Sequence, residues 1–343
     1  MASVVDPAVD PRTNSSTWDV RVNGTSVRWN RIEVTFEQFH IPGQFCVELP
    51  EGAVSIETLL TDSPPEVVIR RDNEEFFIGL DTRSGGNGTD GDQPDDPPQR
   101  VIRLSGKDLS EKFVLDKVTA PLPMNLTASE IVTQRCLADG FTQAQLDITS
   151  TNDQIGEFVR RNYHRITKSL SWHDVFFDLA ELEHFVFRVW RRRPFFGPQP
   201  DPKAFFNWQF GRDFNTYDWH KSHVNSDVKV RVLGWNPKTK QRTSDVQGSG
   251  SFIITKVVAG ITPLQAKAMA VRILEEAERG LFTMDLTNVP GDPRVNDVAY
   301  GFRLTGLAAG LNRLYYPSRV HHIITQDDHV MDLKLYNSVD IAA

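Results

Sequence analysis

Apolar residues recur along this chain in two rhythms, at every second position or at every third and fourth, and the changes of rhythm divide it. Residues 17–29 read as two alternating segments around Asn23-Gly24, the dipeptide that turns a two-residue β-hairpin. Ile32, Val34 and Phe36, then Phe45, Val47 and Leu49, alternate with polar neighbours and predict two half-buried strands. Residues 66–82 form a second predicted hairpin around Asp72-Asn73, and a partner strand resumes at Arg100. Between them, residues 83–99 hold glycine, proline, aspartate and no apolar side chain, so this acidic stretch predicts a mobile loop.

From Lys107 the rhythm turns helical. Thr127 and Glu130 make a capping box for a helix that ends at Gly140, and Ser171 caps a second helix with Val175, Leu179 and Leu182 on one face. A strand follows from Phe185, then a proline-rich boundary, then alternation at Val228, Val230 and Val232. Thr262-Pro263-Leu264-Gln265 opens a third helix, with proline where its missing N–H costs nothing. Ala266, Ala270, Ile273 and Ala277 fall on its apolar stripe, Glu275, Glu276 and Glu278 face water, and Gly280 suits a left-handed cap. This helix is expected to lie across the strands after it: a Pro290-Gly291 turn, a strand through Val295 and Val298, one over Val320–Ile324, an Asp327-Asp328 turn and one over Val330–Leu335.

The fold class predicted is mainly β with an α+β insertion. Its expected parts are an antiparallel β unit over 1–118, an α+β domain over 119–200, a proline-rich link over 201–225, and a second β unit over 226–343 carrying the helix 262–280.

Composition narrows the function. The 343 residues are 39% hydrophobic and 10% aromatic, which sets the chain among globular proteins. No apolar run approaches the roughly 20 residues of a membrane span, and the first residues lack the basic and apolar regions of a signal peptide. The expectation is a protein neither exported by the usual signal nor embedded. Cys46 and Cys136 are too few for a disulfide framework and are read as reduced core thiols. A net charge of −7 argues against a surface that coats nucleic acid.

Candidate chemistry fails on context. Gly86-Asn87-Gly88-Thr89-Asp90-Gly91 has the letters of a dinucleotide fingerprint, but no helix follows it to receive a phosphate. His321, His322, Asp327, Asp328 and His329 bunch near a hairpin. Adjacent strand residues point to opposite faces, so His321 and His322 cannot both face one ion. His164, His173 and His184 have no G-x-S-x-G, S-x-x-K or H-E-x-x-H partner motif. Glu181 with Glu183 or Asp178 offers the paired carboxylates of a glycan hydrolase, yet on a helix whose wet face ordinarily carries acids. Arg191-Arg192-Arg193 with Phe195, Phe196 and Trp208 offers a nucleic-acid grip, against the plainer reading of a solvated strand end. No catalytic, cofactor or metal residue is therefore assigned.

Four stretches in one order resemble the baseplate-hub proteins of phage tails, the late control gene D family. They are Val67–Ile69 with Phe76–Gly79 and Arg100–Leu109; Ser171–Phe176 with Leu179-Ala180; Val230–Thr239; and Pro290-Gly291, Val295, Val298, Gly306, Tyr315, Val320, His322-Ile323 and Met331–Leu333. The long acidic insertion departs from the family pattern. The resemblance implies two tail-tube-like β-barrels flanking a LysM-like middle domain, and a structural role without catalysis or cofactor. It implies a homotrimeric ring in the virion, assembled in the host cytoplasm, that joins a hexameric tail tube to the spike or tip. Its implied partners are the tape-measure protein, baseplate wedge or distal tail proteins, and passing DNA bound without sequence specificity. Two alternatives stay open. One is a tail-associated cell-wall hydrolase or glycan-binding protein; the other is the hub of a bacterial contractile injection system.

Overall fold

The structure, a computed structural model, describes residues 3–5, 17–38, 41–61, 63–89, 99–120, 122–156, 158–159, 170–223, 227–236 and 240–337. Its chain divides into two compact units. The first joins Met1–Glu111, Pro202–Asp218 and Asp285–Leu335; the second joins Lys112–Asp201, Trp219–Met284 and Tyr336–Ala343. The fold is mainly β, most strand pairs are antiparallel, and the helices are few.

The first unit is built on a long sheet. Its strands from the front of the chain are β1 (Ser3–Val5), β2 (Trp18–Val22), β3 (Thr25–Val27), β4 (Arg31–Glu37), β5 (Gln44–Pro50), β6 (Glu66–Arg71), β7 (Glu74–Asp81), β8 (Gly85–Thr89) and β9 (Gln99–Asp108), with a one-turn helix α1 (Ile56–Leu59). Both predicted hairpins are present, with Asn23 and Gly24 at φ 49° and 82°, and Asp72 and Asn73 at φ 49° and 68°. Alternation buries Ile32, Val34, Val47 and Leu49 as expected.

The acidic stretch differs from its expectation. Residues 85–89 are the strand β8, paired with residues 99–103 of β9, because backbone groups can make a ladder without apolar side chains. Residues 90–98, the rest of that stretch, lie outside the described residues. Thr89 stands opposite Gln99, so a two-residue Asn-Gly turn in place of residues 90–98 closes a hairpin. That deletion is expected to shift stability by less than about 1 kcal/mol in urea unfolding.

The second unit holds α2 (Glu111–Leu115), α3 (Ala128–Ala138), β10 (Asp147–Ile148), α4 (Trp172–Glu183), β11 (Val186–Trp190) and β12 (Arg193–Gly197). Capping boxes fix the starts of the two longer helices, Thr127 with Glu130 and Ser171 with Asp174. Phe113, Phe176 and Phe187 interlock edge to face at 4.7–5.6 Å between ring centres and anchor its core.

The expected link over 201–225 contains two strands, β13 (Ala204–Gln209) and β14 (Tyr217–Lys221). Ala204, Phe206 and Trp208 alternate and are buried, a period-two signal that the flanking prolines obscure. Next come β15 (Val228–Asn236), β16 (Gln241–Gln247), β17 (Phe252–Ala259) and the helix α5 (Pro263–Arg279). Here the compact units depart from the expected boundaries. Helix α5 packs on β15 and β16 and beside α4 in the second unit. Gly234 of β15 leaves room for Ile261, Arg272 donates to the Phe185 carbonyl at 2.6 Å, and Gln265 donates to Glu183 at 3.3 Å. The buried face of α5 is Gln265, Ala266, Met269, Ala270 and Arg272, so only the first half of the expected stripe is inside. Gly280 caps it at φ −78°, not left-handed.

The chain ends with β18 (Phe282–Pro290), β19 (Gly301–Thr305), β20 (Leu314–Thr325) and β21 (His329–Tyr336). The twelve-residue β20 pairs with β19, β21 and, over Arg319–Thr325, with β4, which makes the last strands continuous with the first. Cross-strand partners secure that seam: Arg319 with Glu37 at 3.5 Å, and His321 with Thr35 at 2.8 Å. The strand expected through Val295 and Val298 is instead a mostly buried, irregular loop over 291–300. Pro293 has no N–H for a ladder, and Asp292 and Asp297 take the Arg294 and Val298 amides on their own carboxylates at 2.9 and 2.7 Å.

Candidate functional site

The histidines converge in the first unit. His322 lies in β20 and is fully buried beside Phe36 and Phe76. Its Nε2 stands 2.7 Å from the Val295 carbonyl, which can only accept, so Nε2 carries the proton and donates. Nδ1 must then accept from His329 Nε2 at 3.0 Å. The chain His329 to His322 to Val295 is closed when both rings are neutral. Burial pushes His322 down to about 3 and His329 down to about 4, the latter also facing Arg71. His321 points away, to Thr35, as alternation requires. Asp328 tightens the turn by accepting the His329 amide at 2.8 Å. A Cβ at Gly291 would overlap the His329 ring, which explains the glycine after Pro290. This cluster clamps the 291–300 loop, and buried Asp297, paired with the exposed Lys203 at 2.6 Å, holds the same loop.

A second knot sits where β7 meets β9. Asp108 is half-buried and accepts the Gly43 and Ser110 amides at 2.6 and 2.8 Å, and desolvation pushes its carboxyl up to about 6. Asp81 accepts the Ser105 amide at 3.0 Å. Gly79 and Gly106 lie against the Phe45 ring, where a side chain has no space. The residues that carry the family resemblance here therefore build the sheet. Alanine at Asp108 orphans two backbone N–H groups and is expected to cost about 2–4 kcal/mol in urea unfolding.

Several of the candidate catalytic and nucleic-acid residues make structural contacts. Glu181 is buried and pairs with Lys256 at 2.5 Å, and Glu183, raised by burial, accepts from Gln265. Asp178 shares their helix. His173 meets Phe187 edge to face, His184 takes a left-handed C-cap 3.7 Å from Glu275, and His164 lies outside the described residues. Arg191 turns the β11–β12 hairpin at φ 56° with its guanidinium over Trp190, while Phe196 and Trp208 are buried away from any base. Both cysteines are free, and burial pushes the Cys136 thiol up to about 12.

One surface has no counterpart in the sequence reading. The sheet β16–β15–β17 turns Val228, Val230 and Val232 inward, with α5 on that side. The registers put Val246, Trp235, Ile253 and Val257 on the opposite face, exposed by 43, 44, 50 and 75%. Lys229, Arg231 and Arg242 share that face, and among the described residues of the three strands no carboxylate does. Alternation at 229–235 was visible in the sequence, but only the register of three strands collects these residues on one side.

No family model and no curated protein matches this sequence. Among solved structures, a tail protein from Neisseria meningitidis MC58 is similar over 94% of this chain and 97% of its own, with a TM-score of 0.69 and 15% identity. The 43 kDa tail protein of prophage MuSo2 from Shewanella oneidensis matches over 93% and 98%, with a TM-score of 0.69 and 11% identity. An Escherichia coli component of the type VI secretion system, described as structurally similar to the T4 tail proteins gp27 and gp5, matches over 94% and 77% with a TM-score of 0.56 and 12% identity. The resemblance read from the sequence and the neighbours found by shape agree: this chain has the β-rich fold of phage tail proteins and of the type VI secretion proteins related to them.

Proposed function

We propose that this protein is a structural hub of a phage tail baseplate, working by assembly and not by catalysis. The observation that carries this reading is the extent of the likeness, which runs through nearly the whole of both chains for two tail proteins. The clusters of the first unit support it, since His322, Asp108 and Asp297 each serve a loop or a strand crossing. In this reading three chains form a ring between a hexameric tail tube and the spike or tip, around the tape-measure protein and later the DNA. Wedge or distal tail proteins contact its rim, and the ring sits in the virion tail after assembly in the host cytoplasm. The strands β2–β9 supply one tube-like barrel and β13 with β18–β21 a second, joined at the β4–β20 seam, so three chains offer six positions to a six-fold tube. The α3–β12 region is the LysM-like part.

The likeness to the Escherichia coli secretion component favours a second reading, the hub of a contractile injection system. The subunit count of the purified protein by mass tests the ring: three is expected, and a monomer or hexamer contradicts it. A cell-wall zymogram tests the catalytic alternative, with no clearing expected; clearing would overturn the structural reading.

A further inference from the structure

A cleft of about 540 Å³ opens on the first unit, within the size range of small-molecule sites. Three separate segments build it: Trp18 and Asp19 of β2, Arg28-Trp29-Asn30 between β3 and β4, and Gln326 in the β20–β21 turn. Hydrogen bonds lock these segments in place. Trp29 Nε1 donates to the Trp18 carbonyl at 3.3 Å, Gln326 Nε2 donates to the Trp29 carbonyl at 2.7 Å, and the Asn30 backbone amide donates to the Glu48 carbonyl at 2.7 Å. Phe76 and His329 hold the Trp18 ring edge to face at 5.0 and 5.5 Å. The walls are therefore set before anything binds.

Those walls present an aromatic surface rimmed by polar groups with capacity to spare. Val27 and Pro50 join the two tryptophans in the apolar part, and among the described residues no other ring or cation stacks on Trp29. The exposed side chains of Arg28 and Asn30 have no hydrogen-bond or ion-pair partner among the described residues, and only the Nε2 end of the Gln326 amide is used. Asp19 accepts from Ser26 and Arg21, which fix its carboxylate and leave it lone pairs to offer.

We propose that this cleft binds a neutral sugar ring of a glycan without cleaving it. The C–H face of a pyranose lies flat on an indole, while the hydroxyls around its edge both donate and accept. Arg28 and Asn30 donate to such hydroxyls, and Asp19, Asn30 and Gln326 Oε1 accept from them. One cation and one carboxylate on the same rim leave no excess charge to select a phosphate or an ammonium group. Glycoside hydrolysis takes a pair of carboxylates, and Asp19 alone lines the cleft. The site belongs to the first unit, not to the LysM-like α3–β12 region, and it does not depend on the ring.

The test titrates the full-length protein calorimetrically with maltotriose, cellotriose and the trimer of N-acetylglucosamine. At least one is expected to bind saturably with a Kd of about 5 mM or tighter, and to be recovered uncut by mass. Trp29→Ala should weaken that sugar about tenfold. Arg28→Ala with Asn30→Ala should do the same with the thermal midpoint unchanged, since both side chains are exposed, and this pair carries the test should Trp29→Ala fail to fold. Trp235→Ala, in the second unit, should bind as the wild type does. No saturable binding of any of the three sugars at about 20 mM would overturn the proposal. So would undiminished binding by the Arg28→Ala, Asn30→Ala protein, a cleaved sugar, or tighter capture of a proline-rich octapeptide in the same cleft.

Discussion

Alanine at Gly106 is expected to destabilise the protein by about 3 kcal/mol or more, the largest single effect of a lone methyl group in this fold. Gly106 sits opposite Asp81 where β9 crosses β7. An added Cβ would land on the Leu80 carbonyl and 3.1 Å from the Phe45 ring. Neither can yield. The Leu80 backbone is held between Lys107 and Glu66, and Phe45 is 3% exposed inside the core. Gly79 is hemmed in the same way, with the Lys107 carbonyl at 2.5 Å and the Phe45 ring at 2.6 Å from its absent Cβ, so alanine there should behave alike. Gly86→Ala is the control, because its nearest atom is 3.6 Å away, and it should stay within about 0.5 kcal/mol. Urea unfolding midpoints compare the three variants. A Gly106→Ala protein with the wild-type midpoint would mean that β7 and β9 do not approach as described.

Acid should undo the histidine clamp. His322 and His329 have folded-state pKa values near 3 and 4, below the ordinary 6.5 of the unfolded chain. Below pH 6.5 the unfolded state therefore binds protons that the folded state refuses. The stability the pair contributes is present above pH 6.5 and is lost as pH falls through 4. Asp108 works in the opposite sense, since its raised carboxyl takes up a proton in the folded state near pH 6. Comparing the wild type with His322→Gln isolates His322. Glutamine can still donate to Val295 but does not titrate, so the variant should be less stable at pH 7.5 and less sensitive to acid. Between pH 7 and pH 4 the gap between the two proteins should close by about 3 kcal/mol. Parallel stability curves for the two proteins across that range would show that His322 is not held neutral by burial.

What was legible in the sequence was local. The helix starts at Ala128, Trp172 and Pro263 follow from a side chain three residues from its partner, and the turns at Asn23-Gly24 and Asp72-Asn73 follow from residues that accept positive φ. What was not legible depends on partners far along the chain. The β4–β20 seam joins Thr35 to His321, and nothing in either segment alone selects the other. The 291–300 loop looked like a strand because Val295 and Val298 are buried, yet their neighbours Asp292 and Asp297 satisfy the backbone in place of a ladder. The outer face of β16–β15–β17 becomes visible only once the register aligns Val246, Trp235 and Val257. The family resemblance reached further than pattern because its residues mark such long-range contacts: Gly79 with Phe45, Asp108 with Gly43, His322 with Val295.

The most direct measurement is an image of the assembled tail at a resolution that traces this chain. Three copies in a ring at the end of the tube, each placing β2–β9 and β13 with β18–β21 at alternate positions around a six-fold axis, is the result expected. One or six copies, or a single tube-like barrel per chain, would contradict the hub.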